Sequence, residues 1–258
     1  MNKTKIEYCH YTWNPVTGCL HICGYCYARK ITRRFSGIGY PRCGEDVWGF
    51  DLVELDEPYI WCDENNAKHR IAYPADFAPT FHKYKLNEPS QVKTPSIILV
   101  CSMADLFGRW LPDAWIDAVF DACAAAPHHK YLFLTKNPKR YIELHKTGKL
   151  PQKHYYGWTV TDKSNTHRNI LIEKGYNTFV SFEPLLDDPC YFDNAQAKLT
   201  SWAIIGSMTG PLRAKYTPRR EWIEKIVQHC QYAEIPVFMK NNTADVWGEP
   251  LLQQTPFG

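Results

Sequence analysis

Three cysteines, Cys19, Cys23 and Cys26, fall within eight residues at the spacing C-x3-C-x2-C, and Tyr25 stands directly before the last of them. Gly18 and Gly24 flank and interrupt the loop, and residues 28–35 beyond it read as a helix. Three thiolates from one short loop fit an iron–sulfur cluster better than a closed zinc site, which takes four ligands, usually as two separated pairs. A [4Fe-4S] cluster normally takes four cysteines, so three leave one iron open to a small molecule. Three free or zinc-bound thiols are the plainer reading of the same residues.

The elements that must position this loop follow from the rest of the chain. Residues 6–14 read as a first strand ending at the Asn14-Pro15 turn. From residue 97 onward, short continuous apolar runs recur at 97–101, 131–134, 156–160, 178–182, 202–205 and 235–239, as expected of strands buried on both faces of a parallel sheet. Helical patterns lie between them, at 112–125, 138–146, 164–174 and from 217 onward. Pro112 is expected at a first helical position, and Gly148 and Gly175 as C-terminal caps. Sustained strand–helix alternation implies right-handed βαβ units. The expected fold is α/β, a partial or nearly closed parallel (β/α) barrel of about six to seven strands. Residues 1–258 are read as one domain with an irregular insertion at 37–95 in which one hairpin is expected, and its Cys43 and Cys62 are read as buried thiols.

Chemistry in such barrels gathers at the C-terminal strand ends, and polar residues stand there: Ser102 and Asp105, Lys136, Thr159 and Thr161, Glu183, and Lys240. Asp113, Asn137 and Asp162 are equally well read as helix N-caps. Lys136, Glu183 and Lys240 each follow a buried run, where an unpaired charge is costly, and are expected to meet a ligand.

The chain is too weakly charged, at +3, to imply nucleic-acid binding from composition. Its basic residues are nevertheless grouped, as Arg29, Lys30, Arg33 and Arg34 and again as Arg213, Lys215, Arg219 and Arg220. With 45% hydrophobic residues a sizeable core can form, no apolar run reaches membrane-spanning length, and the first residues lack the apolar stretch of a signal peptide. A cytoplasmic location is expected, and ten cysteines without an export signal argue for metal binding or reduced thiols.

The cysteine spacing resembles the signature of the radical S-adenosylmethionine (SAM) superfamily. Further pieces resemble a phage-associated, largely uncharacterised radical-SAM-like family: residues 12–19, 101–107, 134–138, 181–186 and 236–240. The resemblance leaves 37–95 outside it. It departs at residues 205–210, Ile-Gly-Ser-Met-Thr-Gly, where those relatives carry a glutamate. The resemblance implies that Cys19, Cys23 and Cys26 hold a [4Fe-4S] cluster whose open iron chelates SAM, and that reductive cleavage gives a 5′-deoxyadenosyl radical. It places Tyr25 near the adenine, Ser102 and Asp105 at the methionine amino group, and Thr159 and Thr161 at the ribose. Lys136, Glu183, Lys240 and Asn14 remain for catalysis or substrate. An electron donor such as flavodoxin or ferredoxin is the implied partner. The basic clusters and Trp48, Tyr59 and Trp61 in the insertion point toward a nucleobase or nucleic-acid substrate. The alternatives are a metal- or cluster-stabilised nucleic-acid-binding protein without catalysis, and a cluster enzyme transferring a methyl or aminocarboxypropyl group from SAM.

Overall fold

The computed structural model describes residues 1–36, 52–163 and 171–257. The chain divides into two compact units, one of Met1–Thr4 and Cys9–Tyr131, the other of Lys5–Tyr8 and Leu132–Gly258. The fold is mixed α/β and its strands run mostly parallel.

In the first unit, β1 (Asn2–Lys3) lies antiparallel to β2 (Tyr11–Trp13), which lies parallel to β8 (Ile97–Val100). A second small sheet joins β3 (Val16–Thr17) to β7 (Thr80–His82) antiparallel, and β4 (Val53–Leu55) to β7 parallel. The hairpin of β5 (Ile60–Cys62) and β6 (Lys68–Arg70) stands in water on most of its surface. Helix α1 (Tyr27–Phe35) follows the cysteine loop, short α2 (Glu88–Gln91) precedes β8, and α3 (Asp113–Ala125) follows it. Trp115 of α3 packs its ring 5.1 Å from that of Phe81 and donates its indole N–H to Glu54 at 2.6 Å, so one residue ties the helix to both β7 and β4.

In the second unit, β9 (Lys130–Thr135), β10 (Tyr155–Thr159), β11 (Asn177–Phe182), β12 (Ala203–Ile205) and β13 (Val237–Met239) pair in sequence order, all parallel. Between them run α4 (Lys139–Lys146), α5 (Asn194–Lys198) and α6 (Arg220–Tyr232), with α7 (Ala244–Trp247) after β13. One sheet face, with Trp158, Val180, Phe182, Ala203, Ile205, Val237 and Met239, packs on Ile223, Ile226, Val227 and Cys230 of α6. The i, i+3, i+4, i+7 spacing of those helix residues is the stripe that burial requires. Phe179, Trp202 and Phe238 belong to the opposite face, joined by Tyr8, whose ring stands 5.8 Å from that of Trp202 and 5.9 Å from that of Phe238. Gly157 makes room for this aromatic layer, because a Cβ there would come within 2.3 Å of the Phe179 ring.

The six apolar runs from residue 97 onward are all strands, and no pairing closes them into a ring among the described residues. The expected strand over 6–14 shrinks to Tyr11–Trp13, because Tyr8 and Cys9 are buried in succession and break the alternation. Pro112 precedes α3 instead of opening it, Asp113 is its first residue, and Pro138 stands before α4, so neither Asp113 nor Asn137 is a cap. Gly148 and Gly175 do take the left-handed conformation expected of C-terminal caps, at φ 73° and 80°. Residues 164–170 of the expected 164–174 helix, and Cys43 and Trp48 of the insertion, lie outside the described residues. The insertion has its hairpin, but it also supplies β7, the partner of β3. Cys62 is exposed, not buried. Every described cysteine is a free thiol, and no described helix is long and apolar enough to cross a membrane.

Two predictions follow from this packing. Gly157→Ala overfills the aromatic layer and should cost about 1–3 kcal/mol in denaturant unfolding; an unchanged midpoint would mean that the Phe179 ring is not fixed there. His82, buried between Thr17 Oγ1 at 2.9 Å and Tyr84 OH at 3.2 Å, has its pKa pushed by burial down to about 3. It is neutral when folded and takes up a proton on unfolding, so its contribution is complete above pH 6.5 and is lost as pH falls from there toward 3. Acid titration of the unfolding midpoint should show this loss, and His82→Gln should flatten it.

Candidate cysteine-loop site and strand-end layer

The cysteine loop hangs from a backbone crossing. Gly18 has φ 84°, donates its N–H to Met103 O at 3.0 Å, and passes so close to the insertion that a Cβ would meet Ala78 O at 2.2 Å. Only glycine satisfies both demands. Cys19 N–H then bonds Phe77 O at 3.2 Å. Cys26 caps α1, its sulfur accepting from Arg29 N–H at 3.4 Å. Arg29 reaches back to Cys19 O at 3.3 Å while its guanidinium lies 4.6 Å over the Phe77 ring. The first and last cysteines are thus joined through one residue, Arg29, by its backbone N–H at Cys26 and its guanidinium at Cys19.

The β8 exit packs beside the loop. Cys101 turns the chain at φ 57°, and Asn14 Oδ1 accepts from Ser102 Oγ at 3.2 Å and Met103 N–H at 2.9 Å. Tyr27 donates its hydroxyl to Ser102 O at 2.6 Å. Asp105 is buried, with Oδ2 2.7 Å from His21 Nε2 and Oδ1 accepting from Phe107 N–H at 3.1 Å. The first unit therefore brings Asn14, Ser102 and Asp105 to the loop that bears Cys19, Cys23 and Cys26, with Tyr25 partly exposed between the last two cysteines. Asn14 acts as a clasp on the 101–103 turn.

The donors the loop offers are three cysteine thiols, the ligand type that iron–sulfur clusters take. Burial first, then the Asp105 charge and the neighbouring Cys23 and Cys26, push the Cys19 thiol up to about 12. A metal bound at these sulfurs would be what favours their thiolate forms. No group of three His, Cys, Asp or Glu side chains converges as a single metal ion would require, among the described residues.

In the second unit the register assigns a polar layer to one sheet face. Thr159 stands beside Ser181, Ser181 beside Ile204 and Ile204 beside Phe238, on the face opposite the α6 core. One step further along the strands, Glu183, Gly206 and Lys240 meet: a Cβ on Gly206 would lie 3.1 Å from both Glu183 Cγ and Lys240 Cδ. Glu183 and Lys240 form an ion pair, so each has a protein partner of opposite charge. Thr161 donates to Asp162 Oδ2 at 3.0 Å, and Lys136 continues the row from β9 past Leu134, which pairs with Gly157. Asn242 holds the Ser207 backbone at both N–H and C=O, at 3.0 and 2.8 Å, and the Ser181 and Ser207 hydroxyls are buried with no partner among the described residues.

Residues 3–252 match the model of a family described as "Protein of unknown function (DUF5131)". The chain belongs to this family. The family match includes the insertion at 37–95, and its description names neither chemistry nor phage. No curated protein matches the chain. Among solved structures it is similar to a spore photoproduct lyase complexed with dinucleoside spore photoproduct, with 10% identity and a TM-score of 0.49. That match covers 88% of this chain, which spans 62% of the lyase chain's length.

Sequence reasoning missed His21 and Trp110, and it did not single out Ser181 or Asn242 from the polar residues at the strand ends. The first was hidden because its partner Asp105 is 84 residues away. Ser181 was legible: it alternates with Val180 and Phe182 onto the face that Glu183 shares.

In apoprotein at pH 8, the desolvated Cys19 thiol should alkylate more than about tenfold slower than the exposed Cys190. Mass spectrometry of timed iodoacetamide reactions measures it, and equal rates would contradict the buried Cys19.

Proposed function

We propose that the protein is a radical SAM enzyme in which Cys19, Cys23 and Cys26 hold a [4Fe-4S] cluster. The observation that carries this reading is the C-x3-C-x2-C loop itself, suspended from the Gly18 crossing and closed by Cys26 as the α1 cap. When bound, the cluster supplies the electron that cleaves SAM. The chain's own residues do the holding. Arg29 ties the carbonyl of Cys19 to the Cys26 turn, and Phe77 and Met103 pack apolar surface against Cys19 and Cys26, limiting water at the thiols.

Tyr25 and Ser102, in the first unit, are our candidates for SAM contacts. Asp105 has protein donors on both oxygens, which leaves it fewer lone pairs for the amino group of SAM. In the second unit, Thr159 and Thr161 offer hydroxyls, and the Glu183–Lys240 pair with Lys136 offers charge, to a polar ligand. Lys240 pairs with Glu183, and the bare Gly206 leaves space for the two side chains to meet.

A nucleobase or nucleic acid is the substrate class we favour. Lys68, His69 and Arg70 are all exposed on the β5–β6 hairpin, and Trp61 lies 5.5 Å from His69 at a shallow 35° tilt, a surface able to stack a base beside cations. Helix α1 adds exposed Lys30, Arg33 and Arg34.

The test is anaerobic reconstitution followed by dithionite and SAM. About four irons per chain and release of 5′-deoxyadenosine are expected, and Cys23→Ala should lose both. Methylthioadenosine or S-adenosylhomocysteine as the product would replace the radical route by group transfer. Zinc in place of iron would overturn the reading.

A further inference from the structure

The arc between Cys19 and Cys23 is residues 20–22, and among the described residues none of the three makes a backbone–backbone hydrogen bond. The contrast with its ends is sharp, since Cys19 N–H is bonded to Phe77 O and Cys26 N–H to Cys23 O. The arc also contains costly backbone: Ile22 is β-branched, sits at φ 54° and is 81% exposed. Such a residue does not choose the left-handed region by itself, and its own burial does not hold it there.

The His21 backbone N–H bonds the Cys19 sulfur within the arc, and the side chain of this middle residue fastens the arc to the rest of the unit. His21 Nε2 lies 2.7 Å from Asp105 Oδ2, and the imidazole stands edge-on to Trp110 with ring centres 4.9 Å apart. Both partners are fixed in turn. Asp105 has a 7% exposed side chain and is pinned by Phe107 N–H. Trp110 lies across Gly108, where a Cβ would come within 2.4 Å of the indole. The loop is thereby fastened at its centre to the turn that follows β8.

We infer that His21 and Asp105 are positioning residues: their contact fixes the arc that sets Cys19 and Cys23 relative to each other, and Trp110 backs the imidazole. Asp105 thus serves the loop, not the amino group that the family resemblance gave it. The inference rests on the proposed function only for the consequence that a loose arc holds the cluster poorly; the clamp itself exists in the protein without metal.

The experiment compares wild type, His21→Ala, Asp105→Ala and His21→Gln, first as apoprotein. Native iodoacetamide labelling should speed up about tenfold at Cys19 in both alanine variants, with Cys190 labelling and the thermal midpoint unchanged. His21→Gln, whose amide N–H can reach the same carboxylate, should return to within about threefold of wild type. After anaerobic reconstitution, the alanine variants should lose iron to a chelator about tenfold faster than wild type, again with rescue by glutamine. If Asp105→Ala does not fold, the partly exposed His21 pair of variants carries the test. Unchanged Cys19 labelling in His21→Ala, or failure of glutamine to rescue, overturns the clamp. Altered labelling in a protein that never takes up iron keeps the clamp and overturns the cluster reading.

Discussion

The first unit depends on a place where two backbones pass with no room for a side chain. Gly18 runs under the Phe77–Ala78 peptide at a distance that only a hydrogen can occupy, and it does so in the left-handed conformation. Strand β3 enters that crossing and is held by β7, whose His82 is buried against Thr17. On the far side the chain leaves as the cysteine loop. The insertion that carries β7 is therefore part of the scaffold of the thiols, and Arg29 stacked on Phe77 repeats the connection from α1. A side chain at residue 18 would separate the strand pair and the loop together.

The second unit works by a division between faces. Apolar residues at alternating positions fill the face toward α6, while the opposite face is aromatic at depth and polar toward the strand ends. An ion pair placed at that end, Glu183 with Lys240, meets the rule that charge near a core must be partnered. Gly206 between them is the space their side chains share.

Much of this was legible in the sequence, for identifiable reasons. Continuous apolar runs such as 97–101 and 178–182 can only be buried strands or helix cores, and their brevity chose strands. The i, i+3, i+4, i+7 residues of α6 wrote its buried face directly. Strands β3, β4 and β7 were not legible, because two or three residues carry no period and their partners lie tens of residues away. The cysteine spacing announced a site, but not that His21 inside it is bonded to Asp105, nor that Glu183 and Lys240 neutralise each other. Pairings across 84 and 57 residues are products of topology, and no local pattern records them.

The central claim is an iron cluster with one coordination position open to SAM. Electron paramagnetic resonance of the anaerobically reconstituted, dithionite-reduced protein, recorded with and without SAM, addresses it most directly. The account predicts a reduced-cluster signal that changes shape when SAM is added, because the ligand enters the iron that Cys19, Cys23 and Cys26 leave free. A cluster signal indifferent to saturating SAM, or no iron signal from protein with all three thiols intact, would contradict it.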